Sequence, residues 1–128
     1  MPSKKVVSTN NAPPAVGPYS QAIRAGGFLF LSGQLPLDPK TGTITATDVA
    51  AQTRQAITNI KSILAAAGLS LSDVVKTTVF LKDIQHFSKM NAVYKEYFAQ
   101  EAPARSTVEV ANLPMNALVE IESVAIAE

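Results

Sequence analysis

The sequence predicts an α+β fold, with a mixed sheet of about six strands and two helices packed on one face. Three observations carry that prediction. Two segments repeat apolar residues at the helical period, six short segments read as strands, and the order along the chain is strands, helix, strand, helix, strands. At 128 residues the chain is expected to form one domain, residues 1–128, large enough to close a single core.

Each element has a local reason. Between Asp48 and Ala67, Val49, Thr53, Ala56, Ile57, Ile60, Ile63, Leu64 and Ala67 form one stripe, with Thr47 or Asp48 able to cap the start and Gly68 to end it. A second helix is expected from about Phe87 to Phe98, with Phe87, Met90, Tyr94, Tyr97 and Phe98 on one face. Its cap is not evident, and Asp83 is read as a terminator of the preceding strand. The expected strands are Lys5–Ser8, Ala22–Ala25, Phe28–Ser32, Val74–Leu81, Ser106–Val110 and Leu118–Ala127. Gly26-Gly27 signals a hairpin between the second and third, and Asp38-Pro39-Lys40-Thr41-Gly42 is turn chemistry.

Phe28-Leu29-Phe30-Leu31 and Val79-Phe80-Leu81 put large apolar groups on both faces of their strands. Two helices, each roughly 10 Å wide, cover one face of a sheet whose strands lie about 4.8 Å apart. The other face is expected to pack against copies of the same chain. An oligomer is predicted.

Composition removes several functions. Net charge is +1 and hydrophobic residues make up 47%, with only Lys4-Lys5 adjacent among the basic residues, so no stripe suited to nucleic-acid phosphates is present. The absence of cysteine excludes disulfides, thiolate nucleophiles and cysteine metal sites. A single histidine, His86, excludes a histidine metal cluster, and no glycine-rich phosphate loop or G-x-S-x-G elbow is found. No signal peptide or apolar run of membrane-spanning length is visible, so a cytoplasmic protein is expected.

The chemistry-bearing residues are few. In Pro103-Ala104-Arg105-Ser106-Thr107-Val108-Glu109-Val110, Arg105 follows a rigid proline at the mouth of a strand, and its guanidinium is suited to fork onto a carboxylate. A structural pairing with Glu109 or another surface acid is the alternative. Gly17-Pro18-Tyr19-Ser20-Gln21-Ala22 is a rigid turn delivering Tyr19, and Ser32-Gly33-Gln34-Leu35-Pro36 ends a buried strand with a glycine that admits close approach. Glu120 and Glu122 share a strand face with Leu118, Val124 and Ile126, where a carboxylate must be paired or used.

These segments occur in the order of one family. Ala15-Val16-Gly17-Pro18-Tyr19-Ser20-Gln21-Ala22, Ser32-Gly33-Gln34-x-Pro36 and Asp38-Pro39-x-Thr41-Gly42 come first. Val75-Lys76-Thr77-Thr78-Val79-Phe80-Leu81-Lys82-Asp83, Met90-Asn91-x-x-Tyr94, Pro103-Ala104-Arg105-Ser106 and Val119-Glu120-Ile121-Glu122 follow. Over nearly its whole length the chain resembles the RidA (YjgF-type) reactive-intermediate deaminases.

The resemblance implies a chorismate-mutase-like subunit in a homotrimer, with the sheets lining a central barrel and the sites in clefts between subunits. It implies hydrolysis of reactive 2-imino acids or their enamine tautomers (2-iminobutanoate, 2-iminopropanoate) to 2-keto acids and ammonia. Those imines come from pyridoxal-phosphate-dependent dehydratases, and the hydrolysis itself needs no cofactor or metal. By the same resemblance Arg105 grips the substrate carboxylate and Glu120 positions and polarises the attacking water. Tyr19, Ser32, Gly33 and Asn91 line the cleft, as does Thr107, which stands where some members have cysteine. The short Gln100-Glu101-Ala102 departs from members with a longer loop ending in an aromatic residue. The competing reading is a non-enzymatic small-carboxylate-binding regulator, or a translation inhibitor or endoribonuclease-like relative.

Overall fold

The structure is a computed structural model and describes residues 3–128. Its centre is a mixed six-stranded sheet in the order β1-β2-β3-β6-β4-β5. The strands are β1 (Lys5–Val7), β2 (Ala22–Ala25), β3 (Phe28–Gln34), β4 (Val74–Leu81), β5 (Ala104–Glu109) and β6 (Val119–Ile126), and the helices are α1 (Val49–Ala66) and α2 (Phe87–Tyr97). Among the described residues only the β4–β5 pair is parallel. That pairing requires a crossover, which α2 supplies.

Local chemistry accounts for the turns. Gly26 and Gly27, at φ 58° and 80°, close the β2–β3 hairpin in a backbone region that other residues enter only with strain. Asp48 caps α1 by accepting from Ala51 N at 2.8 Å, and Gly68 follows the helix at φ 77°. Asp83 does more than terminate β4: its Oδ1 accepts from Gln85 N at 2.9 Å, capping the short 3-10 turn Ile84–His86 that leads straight into α2. This explains a helix that starts without an N-cap side chain of its own. β5 begins at Ala104, two residues earlier than the alternation of its valines implied, so Arg105 lies within the strand and not at its mouth.

Both helices lie on one side of the sheet. Ile57, Ile60, Ile63 and Leu64 of α1 meet Leu29, Leu31, Val79, Leu81, Val119 and Ile121, all fully or nearly fully buried. Three buried amides stitch loops to the core. Gln52 Oε1 accepts from Leu118 N at 2.8 Å, and Asn59 Nδ2 donates to Leu35 O and Leu37 O at 3.1 and 2.9 Å. Gln21 Nε2 donates to Pro13 O at 2.8 Å while its Oε1 accepts from Thr9 N at 2.7 Å. Satisfied in this way, a buried amide avoids the desolvation penalty of an unpaired one.

Among the described residues the opposite face has no cover. Val6, Phe28, Phe30, Val108 and Ile126 project from it and remain exposed, with the rings of Phe28 and Phe30 6.2 Å apart. Alternation has placed apolar groups on both faces, as the sequence predicted.

Candidate functional site

Strand register decides where each candidate residue points. Arg105 is paired with Thr77, whose side chain is fully buried beneath the helices, so Arg105 faces α2. Glu120 is paired with Phe80 on the uncovered face. The two residues expected to carry the chemistry therefore lie on opposite faces of one sheet. Within a single chain they do not meet.

On the helix face, Arg105 is held by one stripe of α2. Phe87, Asn91 and Tyr94 are spaced four and three residues apart and lie one above another. Arg105 Nη1 donates to Asn91 Oδ1 at 2.8 Å, and its Cζ sits 4.7 Å from the Tyr94 ring centre and 5.5 Å from that of Phe87. Nη1 makes the one side-chain hydrogen bond that Arg105 forms among the described residues, which leaves its Nε and Nη2 donors open. Glu109, the alternative partner, instead accepts from Ile84 N at 2.8 Å. A cleft of about 350 Å³ opens here, lined by Asn91, Tyr94, Lys95, Ala102, Pro103 and Arg105 among others. Thr107 follows Arg105 on the same face, and its buried Oγ1 has no hydrogen-bond partner. Thr107 is not among the residues that line the cleft.

On the other face, Glu120 stands beside Gly33. The β3–β6 pairing steps from Leu31–Ser123 to Gln34–Ile121, three residues on β3 against two on β6. Ser32 and Gly33 occupy this bulge, a device that re-aims side chains beside functional sites. The third strand thus runs two residues past its expected end at Ser32. Ser32 Oγ donates to Ser20 O at 2.6 Å and ties the bulge to the turn carrying Tyr19, which is half exposed. Ser32, Gly33 and Glu120 form the second group, whereas Tyr19 lines a separate pocket with Val6, Ser8, Thr9 and Pro14 and joins the group only through the Ser20 backbone.

The Glu120 carboxyl is held above the ordinary glutamate range, chiefly by burial and further by the negative charge of Glu122. No ion pair involves either glutamate among the described residues, so the structural alternative of a buried salt bridge is not realised within the chain. A carboxylate with a raised pKa and no cation partner is a proton acceptor in waiting.

Sequence reasoning assigned Phe87 and Tyr94 to the helix core and missed that both rings face Arg105. The spacing Phe87–Asn91–Tyr94 was the available signal. Lys95, exposed at the rim of the cleft, also went unnoticed. No cluster of three or more His, Cys, Asp or Glu suited to a metal occurs among the described residues. None of their helices is long and apolar enough to cross a membrane.

Comparison with known proteins fits this geometry. The sequence profile of the endoribonuclease L-PSP family, the YjgF/RidA family, matches residues 9–127. The chain belongs to this family. Among relatives of the YjgF/RidA type, a RutC family protein of Pyrococcus horikoshii is 58% identical over 125 residues, spanning 98% of this chain and 99% of its own. The 2-iminobutanoate/2-iminopropanoate deaminase of Salmonella typhimurium is 50% identical over 125 residues, spanning 95% of this chain and 97% of its own. Among solved structures, Escherichia coli TdcF with bound serine superposes with a TM-score of 0.92 at 43% identity, covering 97% of this chain and 99% of that one.

Proposed function

We propose that this protein hydrolyses 2-imino acids, 2-iminobutanoate and 2-iminopropanoate among them, to 2-keto acids and ammonia. The observation that carries the reading is the Arg105 guanidinium, fixed by Asn91 and two aromatic rings yet bonded to no carboxylate among the described residues. Relatives named 2-iminobutanoate/2-iminopropanoate deaminases at 50% identity support the reaction class.

The chemistry follows from the residues. Arg105 holds the substrate carboxylate through its open donors, with Asn91 alongside, and this sets the position of the adjacent C=N carbon. Glu120 accepts a proton from water as the water oxygen bonds to that carbon, the C=N π pair moves to nitrogen, and the Glu120 carboxyl returns the proton there, leaving an amine. The product of addition is a tetrahedral carbinolamine. Protonation of its nitrogen lets the C–N bond break and ammonia leave, while loss of the hydroxyl proton yields the keto acid. Ser32 and Gly33 wall the water side. Orientation together with one general base, the latter worth roughly 10²–10⁴-fold, is enough for a substrate that already hydrolyses unaided.

Because Arg105 and Glu120 occupy opposite faces of one sheet, the reaction requires Arg105 of one copy to meet Glu120 of another. The uncovered apolar face supplies the surface for that assembly, and we assign a homotrimer of chorismate-mutase-like subunits with sites between neighbours. The test is release of ammonia and keto acid from imine generated in situ by an amino-acid oxidase or a dehydratase, with and without the protein. Acceleration over the spontaneous rate is expected. Binding of 2-oxobutanoate without acceleration would instead identify a carboxylate-binding regulator.

A further inference from the structure

The geometry points to Phe87 and Tyr94 as positioning residues for Arg105, an aromatic clamp on α2 that sets the orientation of the guanidinium before any ligand arrives. This assignment rests on the reading of Arg105 as the carboxylate anchor.

Arg105 lies on β5, an edge strand of the sheet, and its long side chain is not packed into the core. An arginine so placed would normally sample many rotamers, and ordering it on binding would weaken the affinity. Here three contacts from one helical stripe restrain it. Asn91 Oδ1 takes one Nη1 proton at 2.8 Å, and the rings of Tyr94 and Phe87 lie 4.7 and 5.5 Å from Cζ, within cation–π range. The asparagine fixes one edge of the planar group, so the Nε and Nη2 donors are the ones presented to a ligand.

The clamp is itself anchored. Tyr94 is buried, and its hydroxyl and Thr77 Oγ1 share a hydrogen bond of 2.7 Å. Thr77 is the residue paired with Arg105 across the parallel β4–β5 ladder. From Arg105 to Tyr94, to Thr77 and back through the ladder, the contacts close a ring that ties helix to strand. Phe98 backs the Tyr94 ring at 4.6 Å between centroids. The ring face of Tyr94 thus serves the arginine, and its hydroxyl serves the fold. The two roles can be separated by mutation.

The test uses the intact protein with 2-oxobutanoate as the probe. Tyr94→Leu removes the ring and is expected to raise both the Kd for 2-oxobutanoate and KM for imine by about 10-fold, the scale of a partly desolvated cation–π contact, with a smaller change in kcat. The Arg105 guanidinium NMR signals, resolved when Cζ–Nη rotation is slow, should broaden. Thr77→Val keeps the ring but strands the Tyr94 hydroxyl, so it should melt at lower temperature and bind nearly as wild type. Phe87→Leu, at a half-buried position, repeats the ring test if Tyr94→Leu does not fold. Affinity that tracks melting temperature across the three variants, rather than the presence of a ring, would overturn the clamp. So would wild-type affinity and unaltered Arg105 signals in Tyr94→Leu. Undiminished binding by Arg105→Ala would overturn the anchor reading itself, and the clamp with it.

Discussion

A Cβ placed on Gly33 would stand 2.9 Å from Oε2 and 3.2 Å from Cγ of Glu120. Glycine is needed at this bulge for space and not for an unusual φ. The glutamate side chain lies in the room that a methyl group would fill.

Gly33→Ala should therefore fold but move the Glu120 carboxylate. The atom displaced first is the far end of a flexible side chain, so the stability change should be small. A shift of about 1 Å in a catalytic group costs on the order of 10²-fold in rate. Melting curves near wild type beside a large fall in kcat would show this; unchanged turnover would remove Gly33 from the site.

The raised pKa of Glu120 makes two linked statements about pH. Because burial disfavours its ionised form, Glu120 contributes stability below the ordinary glutamate pKa and loses that contribution as pH rises through its higher folded value. Glu120→Gln should then raise the melting temperature at neutral pH, with the gain vanishing in acid, while imine hydrolysis falls steeply and 2-oxobutanoate still binds. A Glu120→Gln protein less stable than wild type at pH 7 would mean that the carboxylate makes a favourable contact in the assembly.

Glu122 acts on the same group from two residues away. Its charge helps hold the Glu120 proton, so Glu122→Gln should lower the Glu120 pKa and shift the acid limb of the rate profile to lower pH. Turnover on the plateau should change little. A profile identical to wild type would assign Glu122 to assembly alone.

Arg105→Ala should abolish measurable hydrolysis with the fold intact, and Arg105→Lys should restore little. An ammonium cannot fork onto a carboxylate, and it lacks the planar face that lies against Tyr94. The lost charged hydrogen bonds are worth about 1.5–3 kcal/mol each. Near-normal turnover in folded Arg105→Ala would refute the role.

If sites form between copies, chains defective in opposite halves should complement. Arg105→Ala mixed with Glu120→Gln, after dissociation and reassociation, should regain activity that neither shows alone, because some interfaces then pair two intact halves. Light scattering should report a trimer at micromolar concentration. A fully active monomer would remove both the shared site and the reason for the apolar face.

Much of the fold was legible because each element carries its own punctuation. Asp48 and Gly68 bracket α1, Gly26-Gly27 closes the hairpin, and Thr77–Leu81 alternates cleanly. The β3 bulge was not legible, because nothing local in Ser32-Gly33-Gln34 shows that β6 will continue to pair beyond Ser32. Periodicity also misplaced the start of β5, where Ala104 and Arg105 pair with Lys76 and Thr77 through the backbone alone. At the site, residue types were readable and faces were not. That Arg105 and Glu120 diverge depends on register, which two strands separated in sequence set only when they meet. The buried amides were hidden for the same reason, since Gln52 and Asn59 look solvated until loops close over them.

Those amides shape how the protein meets its solution environment. Gln21, Gln52 and Asn59 hold three loop regions with neutral hydrogen bonds, whereas the one ion pair among the described residues, Arg54–Glu96, lies on the exposed surface of the helices. Neutral bonds are indifferent to counterions, and an exposed pair is worth little and is screened by salt. The framework around the two half-sites should thus keep its shape from dilute buffer to concentrated salt. What ionic strength can reach is the mouth of the Arg105 cleft, where Lys95 adds a second positive charge for an incoming carboxylate. Salt should slow the capture of substrate while leaving the architecture that receives it unchanged.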